Sequence, residues 1–340
     1  MKPHLFPLTL VAACLSAPLA YGQAASTLHP EKVIGSEKCA DCHEEEVKAW
    51  KLSAHFRSDS VHRDAKTREE AEKIAKAMGL ANANAMTTSP LCTECHFTRQ
   101  KTGGATKTIG GVSCESCHGG GLDFYEIHGE IEKIPNRDER KQRSKAAGML
   151  YPEDTALVGE NCFNCHIIRD EKLVNVGGHI ARSEGFNLVS WSQGEVRHNF
   201  YTPDHTRTKG ENLPTTPERK RKLFVVGMLL DLEYSLRALS NGKTGGGAFR
   251  KAMGTRAHTI INKELPAVSK ILGDAAPEEL KKAAEIASAV KLSGDPKLVA
   301  AAADALKDPI KSLSDNHDGS ALGALDSILP KKSKGTAWQP

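Results

Sequence analysis

The sequence predicts a mostly α-helical protein in two unlike parts. The first is irregular and built around bound prosthetic groups, and the second is a helical region with an ordinary apolar core. Three observations lead there. The pattern Cys-x-x-Cys-His occurs four times, as CADCH (Cys39–His43), CTECH (Cys92–His96), CESCH (Cys114–His118) and CFNCH (Cys162–His166). Aromatic residues are only 5% of 340, thin for a core of this size, so something else must fill the interior of the first half. Beyond about residue 208 the pattern stops, and helix-periodic stretches with recognisable caps take over.

The repeated pattern has a specific chemistry. Two cysteines three positions apart reach the two vinyl groups of one haem, and the adjacent histidine then lies under the iron as its proximal ligand. A structural zinc site would draw on two such knuckles per ion and has no need of a histidine directly after every second cysteine. A redox dithiol calls for a βαβ surround that is absent here. A disulfide framework would not need the histidines at all. The expected cofactor is therefore haem c, four copies, held covalently by Cys39, Cys42, Cys92, Cys95, Cys114, Cys117, Cys162 and Cys165. The proximal iron ligands are His43, His96, His118 and His166.

The ninth cysteine, Cys14, lies in residues 1–22, where Lys2, an apolar run and small residues before a cut after Gly22 read as a secretory signal peptide. "VAAC" (residues 11–14) also fits a lipoprotein site, which would anchor the chain to a membrane through Cys14. Export to the periplasm is the expectation, and no later apolar run is long enough to span a membrane. The net charge of +4 is small and basic and acidic residues alternate, which leaves nucleic-acid binding without support.

An electron-carrying iron usually has a second strong ligand. His55 is the first candidate, on "HEEEVKAWKLSAHFRS", read as one helix with Val47, Trp50 and Ala54 along a face. It cannot serve the haem it follows. Twelve helical residues rise about 18 Å, whereas two ligands on one iron place their nitrogens about 4 Å apart. His55 must then cap a different haem, which forces the haems to be neighbours. His128 follows His118 across a glycine-rich turn, where cross-ligation is again the natural reading. His179, His198 and His205 are further candidates; His29, His62, His258 and His317 read as surface residues.

"CADCHEEEVKAWKLSAH", "GVSCESCHGGGLDFYEIH" and the spacing of the four motifs resemble the tetrahaem cytochrome c554 family over roughly residues 33–186. The resemblance implies a mostly helical, irregular multihaem cytochrome fold around closely stacked haems. It further implies that the residue at His55 caps the third haem and the one at His128 caps the first. The fourth haem takes a histidine downstream of its motif, for which His179 is the choice. The second haem is five-coordinate in that family; here His198 or His205 would be able to close it.

The remaining sequence supplies connectors and a helical region. Residues 66–79 read as an amphipathic helix, "TGGATKTIGG" (102–111) as a flexible turn, and the basic stretch 130–146 as solvated or as a docking patch for an acidic redox partner. Glu115 and Ser116 read as spacer. Thr216 caps a helix opened by Pro217, and Asp295 one opened by Pro296. The domains expected are a signal peptide (1–22), a c554-like tetrahaem domain (23–207), an α-helical C-terminal region (208–330) serving as packing lid or homodimer surface, with a haem-edge cover or partner-docking domain as the alternative, and a disordered tail (331–340). The function expected is electron transport between redox partner proteins through largely bis-histidine haems. The alternative is an enzyme turning over nitric oxide, nitrite or hydroxylamine at an open second haem, for which no accompanying catalytic residues stand out.

Overall fold

The computed structural model describes residues 29–202 and 204–340, so residues 1–22, read as a signal peptide, and Cys14 with them lie outside the described residues. Its first half strings short helices together. These are α1 (Ser36–Ala40), α2 (Glu44–Lys51), α3 (Ala54–Arg57), α4 (Arg68–Ala77) and α5 (Pro90–His96), then a two-stranded ribbon, β1 (Thr98–Thr102) and β2 (Ala105–Gly110). There follow α6 (Cys114–His118), α7 (Tyr125–Gly129), α8 (Arg137–Ala146), α9 (Thr155–His166), α10 (Glu171–Asn175) and α11 (Leu188–Ser192). The second half is longer-helical: α12 (Pro217–Asn241), α13 (Ala248–Thr259), α14 (Leu265–Leu272), α15 (Glu278–Ala289) and α16 (Pro296–Asn316).

Local chemistry explains where these elements begin and break. The Thr216 hydroxyl accepts from Arg219 N at 3.2 Å and the Asp295 carboxylate from Lys297 N at 2.9 Å, each just before a proline at the first helical position. A π-turn over Ile260–Glu264 joins α13 to α14 just ahead of Pro266 at the start of α14, whose missing N–H and ring interrupt the α-helical ladder. The stretch read as one helix after the first motif is two. Ser53 donates to Trp50 O at 2.7 Å and accepts from Phe56 N at 3.3 Å, ending α2 and capping α3. The segment read as a flexible turn is mostly β2, paired antiparallel with β1 around Gly103 and Gly104, both at positive φ.

The apolar core belongs mainly to the second half, where α12 runs through the middle and buries Leu229, Leu230, Leu232 and Leu236 almost completely. This core does not stop at residue 207. Phe163 and Ile167 at the end of α9, together with Phe186 and Leu188, belong to the same cluster. At Gly159 a side chain would come within 2.6 Å of Leu230 Cδ1, so the glycine lets α9 lie close against α12. The other described cluster, Ala71, Ala75, Ala83, Met86 and Phe97, is small. The C-terminal tail, expected to be disordered, is docked: Lys334 N donates to Ser190 O at 2.9 Å and the Trp338 ring lies 6.0 Å from that of Phe200.

Candidate functional site

Three of the four motif histidines, His96, His118 and His166, are the last residue of a helix, with the two cysteines on the turn before. The fourth, His43, leads into α2. A single helical turn thus sets both thiols and the imidazole on one side of the backbone at each motif. None of the eight motif cysteines is paired in a disulfide, which leaves every one of them for covalent attachment.

Each motif histidine faces one other histidine. His43 lies opposite His128 (ring centres 6.0 Å apart, planes 15° apart) and His96 opposite His179 (6.2 Å, 69°). His118 lies opposite His198 (6.2 Å, 87°) and His166 opposite His55 (6.1 Å, 46°). This spacing suits a shared iron. Two metal–nitrogen bonds of about 2 Å, with each ring centre roughly 1 Å behind its nitrogen, put the centres about 6 Å apart. Donors come in opposed twos, and among the described residues no group of three or more His, Cys, Asp or Glu converges as a metal cluster would.

The second ring nitrogen is accounted for in six of these eight residues. Nδ1 of His118 meets Leu150 O at 2.9 Å, that of His166 meets Ser183 Oγ at 2.8 Å, and that of His128 meets the Tyr151 hydroxyl at 3.3 Å. Nδ1 of His179 meets Ile180 O at 2.8 Å and that of His198 meets Val196 O at 2.7 Å. His43 Nδ1 lies 3.6 Å from the Glu46 carboxylate, which Arg207 in turn holds at 2.8 and 3.1 Å. Occupying Nδ1 orients each ring and leaves Nε2 for a metal. Burial lowers His96, His118, His128 and His166 to about 4 and also lowers His55, so these rings are neutral, the form that ligates.

The histidine neighbours differ in several places from those the resemblance implies. His55 stands across from His166 of the fourth motif, whereas the resemblance put it over the third. His179 faces His96 of the second motif, and His198 faces His118 of the third. The pairing of His128 with His43 is the one expected from the resemblance. Among the described residues His205 faces no other histidine: it is exposed, at φ 66°, on the loop before Arg207. His62, read as a surface residue, is half-buried, with its ring 5.8 Å from Phe97.

Contacts between the motifs set their order. The Cys39 and Cys114 thiols are within hydrogen-bonding reach, joining the first motif to the third. Asn161 Nδ2 donates to Cys117 O at 3.1 Å, joining the third to the fourth. The Cys95 and Cys165 thiols meet, and Cys165 Sγ lies 3.8 Å from Glu94 O, joining the fourth to the second. Two residues read as spacer have work here. Glu115 is buried and accepts from Ile34 N, Gly35 N and Gly121 N at 2.9, 2.8 and 2.8 Å, while Ser116 completes a capping box with Ser113. The rings of Phe186 and Trp191 against His166, at 4.4 and 4.9 Å, carried no sequence signal of their own.

Covalent haem-attachment motifs on helix ends, each with an opposed imidazole, define a c-type cytochrome. A family model described as "Cytochrome c554 and c-prime" matches residues 38–119, which hold the first three motifs. The chain is 32% identical over 169 residues to cytochrome c-554 of Nitrosomonas europaea, an alignment covering 46% of this chain and 66% of that protein. The chain belongs to the cytochrome c554 family, whose members carry covalently bound haem c, and it spans just under two thirds of the length of that relative. No solved structure matches it.

Proposed function

We propose that the chain binds four haems, each between a motif histidine and the histidine opposite it, and carries electrons between redox partner proteins in the periplasm. The observation that supports this best is the set of four imidazole pairs at 6.0–6.2 Å. When bound, haem iron supplies one-electron redox chemistry. The chain's contribution is to orient the two imidazoles of each pair and to bring the motifs into the order first, third, fourth, second. The enzymatic alternative requires an open position at the second haem. His179 standing 6.2 Å from His96 argues against one.

The test is a haem count together with a ligand-binding assay. Mass spectrometry of the mature protein should give four haems per chain. The reduced protein should leave its visible spectrum unchanged under carbon monoxide. Three haems, or a carbon monoxide adduct at one haem per chain, would sink the proposal.

A further inference from the structure

Of the four histidines that face a motif histidine, His198 has the least support from its own backbone. His55 sits in α3 and His128 in α7, and His179, shortly after α10, is tied back to that helix by its N–H donating to Leu173 O at 3.1 Å. His198 lies in irregular chain between α11 and α12. Something outside that segment must hold it.

The residue that does so is Asn212, 1% exposed. Its side-chain amide brackets His198: Nδ2 donates to Arg197 O at 2.8 Å and Oδ1 accepts from Asn199 N at 2.9 Å. The same Nδ2 donates to Trp338 O at 2.8 Å. The Asn212 backbone is engaged by Gln339, with N donating to Oε1 and O accepting from Nε2, both at 3.2 Å. The tail is itself tied down on the near side of the segment, where Glu195 N donates to Lys334 O at 3.0 Å and the Lys334 ammonium lies 5.0 Å from the centre of the Trp191 ring. A side chain at Gly194 would collide with Lys334 O. Segment 194–199 is therefore clamped between Asn212 and the last seven residues of the chain.

We infer that Asn212 and the C-terminal tail, residues 334–339, form a strap that positions His198 as the sixth ligand of the third haem, so that releasing the strap opens that haem to a small diatomic ligand. The inference rests on assigning His198 to the third haem. A buried amide holding both flanking peptides fixes where the imidazole can reach. Without it the segment regains conformations in which His198 leaves the iron, since orphaned buried donors and acceptors seek water. Covalent attachment keeps the haem in place when the strap is gone, so the change reads as ligation and not as cofactor loss.

The experiment compares ferric EPR spectra and carbon monoxide titrations of the reduced form for four holoproteins: wild type, His198→Ala, Asn212→Ala, and the Trp338→Ala/Gln339→Ala double variant. His198→Ala should convert one haem per chain to high-spin and bind one carbon monoxide. Asn212→Ala and the double variant should open the same haem partially, with a carbon-monoxide-reactive fraction raised about tenfold or more over wild type. If His198→Ala leaves every haem low-spin, the ligand assignment fails. If His198→Ala opens the haem while both strap variants match wild type, or if the strap variants open other haems instead, the inference is overturned.

Discussion

Glu115 shows how a residue between two haem-bearing cysteines can be structural. Its carboxylate gathers three backbone N–H groups, two from the entry to α1 and one from the turn after the third motif. Glu115→Ala orphans all three donors, and we expect it to destabilise the holoprotein by about 3 kcal/mol, read as a lower urea midpoint by circular dichroism. Glu160 makes a prediction in pH. It lines a cavity of about 120 Å³ between α9, α12 and α16, where burial, with Glu233 adding to it and Lys307 opposing it, raises the carboxyl to about 7. The folded chain then holds a proton that the unfolded chain releases near pH 4.5, the ordinary value. Between these two values the native state binds more protons than the unfolded one, so stability falls as pH rises through that window. Glu160→Gln removes the loss: urea midpoints at pH 8 should rise by the equivalent of roughly 2–3 kcal/mol, with little change at pH 4. An unchanged pH profile would refute it.

Among the elements, α12 joins the two halves. Asp231, 2% exposed, takes Arg182 at 3.1 and 3.0 Å from the chain just past His179, and Arg256 at 2.8 Å from α13. Asp231→Ala would leave two partly buried guanidinium groups facing each other across the lost carboxylate. The expected loss is about 3–5 kcal/mol, seen as a lower urea midpoint. The helices themselves were legible where local chemistry decides them: Thr216 with Pro217, and Asp295 with Pro296, announce α12 and α16. Of the β1–β2 ribbon only the turn at Gly103 and Gly104 is legible in the sequence, because the pairing of its strands is set by the fold around them. The break between α2 and α3 was hidden, because a serine mid-helix ends the helix only when its side chain bonds the backbone on both sides. The tail looked disordered from its lysines and glycine, and what docks it is the distant surface of residues 190–212. The proximal histidines and cysteines followed from the motif alone. Which histidine faces which did not, since His43 and His128 or His166 and His55 meet only through the tertiary fold.

At the scale of the whole molecule, the motifs lie in the order first, third, fourth, second, and the helical half closes over the fourth through Phe163, Ile167, Phe186 and Trp191. That arrangement gives a continuous row of imidazole pairs whose ring planes range from nearly parallel at His43–His128 to nearly perpendicular at His118–His198. Ligand-plane angle shapes the anisotropy of low-spin ferric haem, so the row predicts a mixture of rhombic and strongly anisotropic EPR signals. Spin quantitation of the oxidised holoprotein tests the account most directly. Four low-spin ferric haems per chain with no high-spin component are the predicted result. A high-spin signal integrating to one haem per chain would contradict it.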